Sequence, residues 1–343
     1  MAARNANSVV TPGTFTMSVV IPLYNKEAAV ETTLRSVLRQ TRAPDEVIVV
    51  DDGSTDGSVE VVRRIIESGH ADMPIRLITQ QNAGVSIARN RGAAEAKSNY
   101  IAFLDADDEW LPDCASEMQR LARSFPHAAV LTVLLAKPHP NGGLQPEMSA
   151  LPLGFFGELA APLESYRKGY GIIHSSSVAV RRDAWLRSGG FPAGARSGED
   201  ICCWLKLLMS ERVAHSGRPL SIWRDEHSGA DERKGVVPHH FAYFLGTREG
   251  RAYCSNAELV HFLGSNMAVQ IGGLRLAGQQ EVVKELRRLA SSLPLRYRAA
   301  CLASALAPKW LLRKSVSWRR GARARFQSLS ASRIQQRQLA VQT

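Results

Sequence analysis

Residues 100–110 have the sequence Tyr-Ile-Ala-Phe-Leu-Asp-Ala-Asp-Asp-Glu-Trp, in which a short apolar run stops at four acidic residues. The run Tyr100–Leu104 predicts a buried strand. Carboxylates at this spacing repel one another and are costly to take out of water, so they need a compensating cation. Their oxygen atoms favour a hard cation such as Mg²⁺ or Mn²⁺, which often also binds substrate phosphates. The stretch therefore predicts a strand whose carboxyl end holds a metal and a diphosphate; the alternative is a solvated acidic turn.

Predicted helices, two of them amphipathic and the third rich in alanine, separate four predicted apolar strands, which lie at residues 17–22, 46–50, 75–79 and 100–104. Continuous apolar strands in such an alternation are typical of a parallel sheet with helices on both faces. Polar segments follow these strands, at residues 22–25, 51–56, 81–84 and 105–108. Because ligands bind beyond the carboxyl ends of parallel strands, the four segments together predict one nucleotide site.

The pattern is weaker in the rest of the chain. Proline and glycine are frequent between Lys137 and Pro162, which predicts a loop. Further elements are predicted as a strand at 171–180, helices at 182–188 and from 201, short strands at 213–215 and 220–223, and helices between about 239 and 318. Asn25 is a candidate cap for the first helix, and Glu199 and Asp200 suit the start of another.

Length and composition indicate a globular protein. At 343 residues the chain fits one large domain or one domain with an appendage, and it is 45% hydrophobic and 22% charged. Its five cysteines include no Cys-x-x-Cys pair, which argues against a disulfide framework or a thiolate zinc site. The sequence shows no signal segment and no apolar run of about 20 residues. A reducing, cytoplasmic location is therefore expected.

Positive charge is concentrated at the C-terminus. Residues 286–343 contain 13 Lys and Arg and no acidic residue, whereas the first 285 residues have a net charge of −2. Within residues 297–326, an apolar face beside basic residues predicts a helix on an anionic membrane surface; it comprises Leu302, Leu306, Trp310, Leu311 and Val316. A helix packed on the body of the protein is the alternative. Nucleic acid is not an expected partner, because few aromatic residues accompany the basic ones.

Five motifs in order resemble the family 2 glycosyltransferases, which have the GT-A fold. They are residues 19–27 (VVIPLYNKE), 51–58 (DDGSTDGS), 81–92 (QNAGVSIARNRG), 103–108 (FLDADD) and, on the acceptor side, 190–191 with 198–200 (GF and GED). The resemblance covers about residues 17–230. It implies an α/β fold of GT-A type, with a mostly parallel sheet flanked by helices and a helical C-terminal appendage.

The implied domain organisation has three parts. Residues 1–16 would be a flexible N-terminus, and residues 17–230 the GT-A domain, with a nucleotide-binding part at 17–135 and an acceptor part at 170–230. Residues 231–343 would form a helical, basic C-terminal region.

The resemblance also implies roles for individual residues. Asp200 would be the general base, and Asp107 would bind a divalent cation, Mg or Mn. His227 resembles a histidine that some members place near the metal, although a surface histidine is an equally good interpretation. The substrate-binding residues would be Pro22, Tyr24, Asn25, Glu27, Asp52, Asn82, Gly84, Arg89, Asp105 and Glu199. Among them Pro22, Tyr24 and Asp52 would hold the base, and Asn82, Gly84 and Arg89 the ribose and diphosphate.

The implied activity is transfer of a sugar from a nucleotide-sugar donor, UDP-linked, to an acceptor hydroxyl with inversion. The metal would neutralise the leaving diphosphate while a carboxylate removes the acceptor proton. The acceptor would be a glycan or a lipid-linked glycan in bacterial surface polysaccharide synthesis, at the inner face of the cell membrane.

Other classes of protein fit the sequence less well. A dehydrogenase would have a glycine-rich fingerprint after the first strand, where this chain has Pro22–Asn25. A calcium loop starting at Asp105 or Asp52 would lack glutamate at its twelfth position. A nucleotidyltransferase or a non-catalytic protein that binds sugar nucleotides stays open as an alternative. The first usually has a glycine-rich basic phosphate loop, which is not visible, and the second would be favoured by loss of a motif carboxylate.

Overall fold

The computed structural model describes residues 14–69, 73–139, 142–147, 149–224 and 235–314. These residues form one sheet whose strands are β1 Met17–Leu23, β2 Glu46–Asp51, β3 Ile75–Thr79, β4 Tyr100–Phe103, β5 Glu109–Trp110, β6 Val130–Pro138, β7 Leu144–Pro146, β8 Phe156–Glu158, β9 Val178–Arg181 and β10 Val213–Ile222. The strand order is β3-β2-β1-β4-β9-β6-β10-β5, with β7 paired to β6 and β8 paired to β10.

The sheet is mostly parallel, as predicted. Strands β1 to β4 pair in parallel, and β6 pairs in parallel with β10. The short strand β9 lies between β4 and β6 and is antiparallel to both, so all six of these longer strands run in one direction. Their carboxyl ends therefore face the same edge of the sheet, where a ligand is expected.

Helices cover both faces of the sheet. They are α1 Val30–Leu38, α2 Ser58–Glu67, α3 Val85–Glu95, α4 Cys114–Ser124, α5 Pro162–Lys168, α6 Arg182–Ser188, α7 Glu199–Ser210, α8 His239–Gly246, α9 Arg248–Ala252, α10 Ala257–Leu276, α11 Gln280–Ala290 and α12 Leu295–Leu306. In the described ranges no helix combines the length and the apolar character needed to cross a membrane.

Two hydrophobic cores lie on opposite faces of the sheet, because successive side chains of a strand point to opposite sides. Val20 and Ile48 belong to one core, with residues of α3, α6 and α7, whereas their neighbours Val19 and Val47 belong to the other, with α1, α2 and α4. The C-terminal helices α8 and α10 to α12 add to the first core. The C-terminal region is thus packed against the sheet layer on the α3 side.

Gly92 allows α3 to lie close to the sheet. A β-carbon at this position would be 2.4 Å from Val20 Cγ1 and 3.2 Å from Val50 Cγ2, well inside normal contact. Any side chain at Gly92 would push the helix away from β1 and β2. The close approach fixes the position of Arg89, which lies one turn earlier on the same helix.

The segment 171–180 differs from the prediction of a continuous strand. Two 3₁₀ turns, Tyr170–Ile172 and Ser175–Ser177, precede β9, and the strand itself is limited to Val178–Arg181. Side chains bind backbone N–H groups that a strand would pair with its neighbour. His174 Nδ1 accepts from the N–H of Ser176 at 3.2 Å, and Ser177 Oγ accepts from the N–H of His174 at 3.0 Å. The prediction was wrong for these turns because periodicity does not register such local hydrogen bonds.

Three other local predictions were also wrong. The two short strands near residues 213 and 222 are one strand, β10, whose register shifts around Pro219. The segment from Lys137 to Pro162 contains β7 and β8 as well as loop. Asn25 does not cap α1; the carbonyl of Lys26 accepts from the first amides of that turn instead.

Candidate active site

The loops after β1 and β2 are tied together by side chains of the first motif. Asn25, at φ 50°, accepts from the backbone N–H of Thr55 at 2.8 Å. Glu27 Oε2 accepts from the backbone N–H of Gly57 at 2.9 Å. These contacts give Asn25 and Glu27 a bracing role, whereas Tyr24 between β1 and the loop is exposed. Pro22 is buried within β1.

Asp52 shapes the loop after β3. Its buried carboxylate accepts from Gln80 Nε2 at 2.7 Å and from the backbone N–H groups of Ala83 and Gly84 at 2.9 and 2.8 Å. Gly84 has φ +92°, a conformation that favours glycine. A carboxylate offers about four acceptor sites, so three donors leave room for one more. Asn82 is exposed on the same loop.

The three aspartates after β4 have three different partners. Asp105 accepts from Arg89 Nη2 at 2.6 Å, and Asp107 from Lys26 Nζ at 2.6 Å. Asp108 is fully buried, where it accepts from Ser176 Oγ at 2.5 Å and from the backbone N–H of Arg224 at 3.0 Å. The predicted convergence of the strand-end loops is confirmed, since Lys26 follows β1 and Asp107 follows β4.

The surroundings of Asp105 and Asp108 shift the pKa values of their carboxyl groups in opposite directions. Burial alone would raise the pKa of Asp105, but the Arg89 guanidinium outweighs it and holds that pKa below its usual value. Burial raises the pKa of Asp108 well above its usual value, and the nearby charge of Asp105 raises it further. Asp105 therefore carries the negative charge on the buried side of the cluster.

Arg89 connects the strand-end aspartates to the acceptor motif. Its side chain is only 5% exposed and reaches Asp105 at 2.6 Å and Glu199 Oε1 at 3.4 Å. The guanidinium also lies over the ring of Phe191, 5.0 Å from its centre. The adjacent Asn90 exchanges two hydrogen bonds with the backbone of Phe191, at 2.7 and 2.9 Å. Helix α3 thus holds the end of β4 and the start of α7 against each other.

Glu199 and Asp200 are the first two residues of α7. The N-cap position is Gly198, at φ +71°, and no side-chain cap forms there. Asp200 Oδ1 accepts from the backbone N–H of the next residue, Ile201, at 2.8 Å. Neither carboxylate is therefore the cap, and both lie half-buried where their charges act on Arg89.

His174 joins the aspartate cluster and was not anticipated from the sequence. Three potential metal-binding atoms lie within 4.8 Å of one another, one each from Asp105, Asp108 and His174. Burial lowers the pKa of His174, which favours the neutral imidazole that binds metals. In the sequence, His174 is a single histidine in an apolar segment, and this pattern does not indicate a metal ligand. The predicted metal ligand His227 lies outside the described residues.

The donor set suits a divalent cation. Carboxylates with one imidazole are ligands that Mn²⁺ and Mg²⁺ accept, oxygen donors being preferred. Arg89 pairs with Asp105 of this group at 2.6 Å, and Lys26 pairs at 2.6 Å with the neighbouring Asp107, which is not one of the three residues. The residues present therefore fit a metal at this edge of the sheet.

The comparisons with known proteins agree with this architecture. Residues 18–181 match the model of the family described as Glycosyl transferase family 2. The chain contains a family 2 glycosyltransferase domain. Of the domain's five motifs, all but the acceptor motif lie inside the matched range.

Curated relatives of the domain are similar over part of their length. The chain is 42% identical over 106 residues to the uncharacterized glycosyltransferase YibD of Escherichia coli, covering 31% of this chain and 30% of that protein. It is 38% identical over 98 residues to the putative teichuronic acid biosynthesis glycosyltransferase TuaG of Bacillus subtilis, covering 28% and 38%. In these and six further curated relatives, the aligned stretch spans 13% to 62% of the relative's length.

Solved structures show that the GT-A fold extends over most of the chain. S. aureus TarS, residues 1–349 in complex with UDP-GlcNAc, has a TM-score of 0.66 at 19% identity and covers 90% of this chain and 92% of that one. The mannosyltransferase PcManGT of Pyrobaculum calidifontis, in complex with GDP-Man and Mn²⁺, has a TM-score of 0.50 at 20% identity, covering 86% and 87%. At these identities the likeness establishes the fold.

Proposed function

We propose that this protein transfers a sugar from a nucleotide-sugar donor to an acceptor hydroxyl, with inversion and with the help of a divalent cation. The observation that carries the proposal is the buried Arg89, which joins Asp105 at the donor side to Glu199, next to Asp200, at the acceptor side. A protein that only bound a nucleotide would not need an acidic acceptor motif held against the strand-end aspartates.

On the donor side, the loops after β1, β2 and β3 would hold the nucleotide. Asp52 has an acceptor position to spare, which suits the imide N–H of uracil, and the exposed ring of Tyr24 could cover the base. UDP is therefore the proposed nucleotide; the TarS structure contains UDP-GlcNAc and the PcManGT structure contains GDP-Man.

The carboxylates of Asp105 and Asp107 and the imidazole of His174 would hold the cation, Mg or Mn. When bound, the cation neutralises charge on the diphosphate leaving group. Lys26 and Arg89 supply positive charge around the same carboxylates, so the cluster stays balanced in both states.

On the acceptor side, Asp200 would be the general base. The acceptor oxygen attacks the anomeric carbon as the bond from that carbon to the diphosphate oxygen breaks, and Asp200 takes the hydroxyl proton. A single displacement from the opposite face inverts the configuration. Glu199 accepts from Arg89 at 3.4 Å, and this contact would position the neighbouring Asp200 for the step.

The helical region 231–343, which we propose as a separate part of the chain, would complete the acceptor side. The backbone N–H of His239 donates to the carbonyl of Ser197 at 2.7 Å, and the ring of His240 packs against Gly198. The start of α8 thus supports the loop that leads into Glu199 and Asp200.

A membrane-associated acceptor is the proposed substrate class. Helix α12 buries Tyr297 and Cys301 and exposes Leu302 and Leu306, and Trp310 just beyond it is 60% exposed. These apolar side chains lie beside basic residues in the part of the chain with no acidic residue. Such a surface fits the headgroup region of an anionic bilayer, and we propose a peripheral location on the cytoplasmic leaflet.

Titration calorimetry with UDP and GDP in the presence of Mn²⁺ tests the proposed donor site. We expect saturable binding of UDP that is tighter than that of GDP and is weakened in Asp52→Asn. Failure of both nucleotides to bind the wild-type protein would contradict the proposal.

A further inference from the structure

Lys26 holds Asp107 at the position that the proposed cation would use. The distance from Lys26 Nζ to Asp107 Oδ2 is 2.6 Å, and the two side chains are 23% and 14% exposed. This lysine therefore occupies the carboxylate that the sequence assigns to the metal.

The backbone of Lys26 is fixed from both directions. Its N–H donates to Ser58 Oγ at 2.8 Å, and its carbonyl accepts from Ala29 and Val30 at the start of α1. The loop cannot move away without losing these hydrogen bonds. Only the flexible side chain of Lys26 can leave Asp107, and a lysine stem has several rotatable bonds for that movement.

We propose that Lys26 is the resident counter-ion of Asp107, and that a divalent cation binds Asp107 only after displacing the lysine ammonium. The inference rests on the proposed metal site. A carboxylate oxygen paired with an ammonium at 2.6 Å cannot at the same time coordinate a second cation from that side, and the two positive charges repel each other.

The consequence is that Lys26 lowers the intrinsic affinity for the metal. Without it, Asp105 and Asp107 would carry less compensated charge and would attract a cation more strongly. The wild-type protein keeps the carboxylates balanced in the absence of metal, so the site has no large uncompensated charge in either state.

Mn²⁺ binding without nucleotide tests this directly, by the loss of the electron paramagnetic resonance signal of free Mn²⁺. We expect Lys26→Met to bind Mn²⁺ on the order of tenfold more tightly than the wild type. Lys26→Arg keeps the positive charge and should behave like the wild type. Lys97→Met, which removes an exposed lysine beyond the end of α3, is the matched control and should also leave the affinity unchanged.

The outcomes separate the inference from the metal site itself. Equal or weaker Mn²⁺ binding in Lys26→Met, with binding abolished in Asp107→Asn, would overturn the role of Lys26 and leave the metal site standing. Absence of Mn²⁺ binding in the wild type and in Lys26→Met, or full binding in Asp107→Asn, would overturn both.

Discussion

The Arg89 guanidinium donates to Asp105 at 2.6 Å and to Glu199 at 3.4 Å, so one buried cation is shared by the proposed donor side and the proposed acceptor side of the site. Desolvation would lower the pKa of Arg89, but the surrounding carboxylates outweigh it and raise that pKa. The arginine is therefore charged at any working pH, and it acts as a positioning residue for both carboxylates.

Arg89→Met should destabilise the protein by about 3–5 kcal/mol, because it leaves two carboxylates without their buried partner. Arg89→Lys should recover only part of this, since an ammonium cannot bridge both carboxylates as a planar fork does. Urea unfolding measures the difference. Arg91→Met, on the exposed side of the same helix, is the control, and equal stability of the Arg89→Met and Arg91→Met variants would refute the bridging role.

Asp200→Asn should keep the fold and the affinity for the nucleotide while sugar transfer falls by about 10²–10⁴, the usual effect of losing a general base. Gly198, not Asp200, is the N-cap of α7, so the substitution removes no cap. End-point assays measure the rate of sugar transfer, and calorimetry of UDP binding measures the affinity for the nucleotide. Glu199→Gln changes the neighbouring carboxylate and tests whether that residue is the base instead. Near-normal transfer by Asp200→Asn would show that the base lies at Glu199 or elsewhere.

Two buried histidines should make the protein sensitive to mild acid. Burial lowers the pKa of His215 to about 4 and that of His240 to about 3, whereas both titrate near 6.5 in the unfolded chain. As the pH falls below 6.5 the unfolded state takes up protons that the folded state does not, so stability falls until the folded pKa values are reached.

Each buried histidine should contribute a slope of about 1.4 kcal/mol per pH unit between pH 6 and 5, and the contribution of His215 shrinks towards pH 4. His240→Leu should remove about one such contribution from the slope of unfolding free energy against pH, whatever its effect on stability at pH 7. Denaturant unfolding at several pH values measures the slope. His127→Asn, at an exposed position, serves as the control. An unchanged slope in His240→Leu would argue against a neutral buried His240.

The exposed apolar face of α12 should bind anionic membranes. Replacing Leu306 and Trp310 together by glutamate should abolish sedimentation with vesicles that contain phosphatidylglycerol, because both apolar area and net charge are lost. Both side chains are more than half exposed, so the fold should be kept. Undiminished vesicle binding by this variant would show that Leu306 and Trp310 do not form the membrane contact.

The strands and helices around the donor side could be predicted from the sequence, because each has a strong apolar period and a clear boundary. The strand from Tyr100, the helix from Val30 and the loops that follow the strands all lie as expected. Asp52, Asp105 and Asp107 lie after the strands where the sequence placed them. Their roles in the site stay predictions.

Other features depend on contacts between distant segments, and the sequence held no local signal for them. His174 reaches the aspartates only because two 3₁₀ turns bring it to the end of β4. The pairing of Lys26 with Asp107 joins residues 81 positions apart. Arg89 was expected to line the ribose and diphosphate, and that role stays a prediction. Its burial between Asp105 and Glu199 had no local signal and follows from the close packing of α3 allowed by Gly92.

The most direct test of the proposed activity is release of nucleoside diphosphate from a panel of UDP-, GDP- and dTDP-linked sugars, measured with Mn²⁺ and with EDTA. The account predicts slow hydrolysis of at least one donor, a UDP sugar, that requires the metal and is lost in Asp107→Asn. Release of equal amounts in EDTA, or full activity in Asp107→Asn, would contradict the metal-assisted transfer proposed for this site.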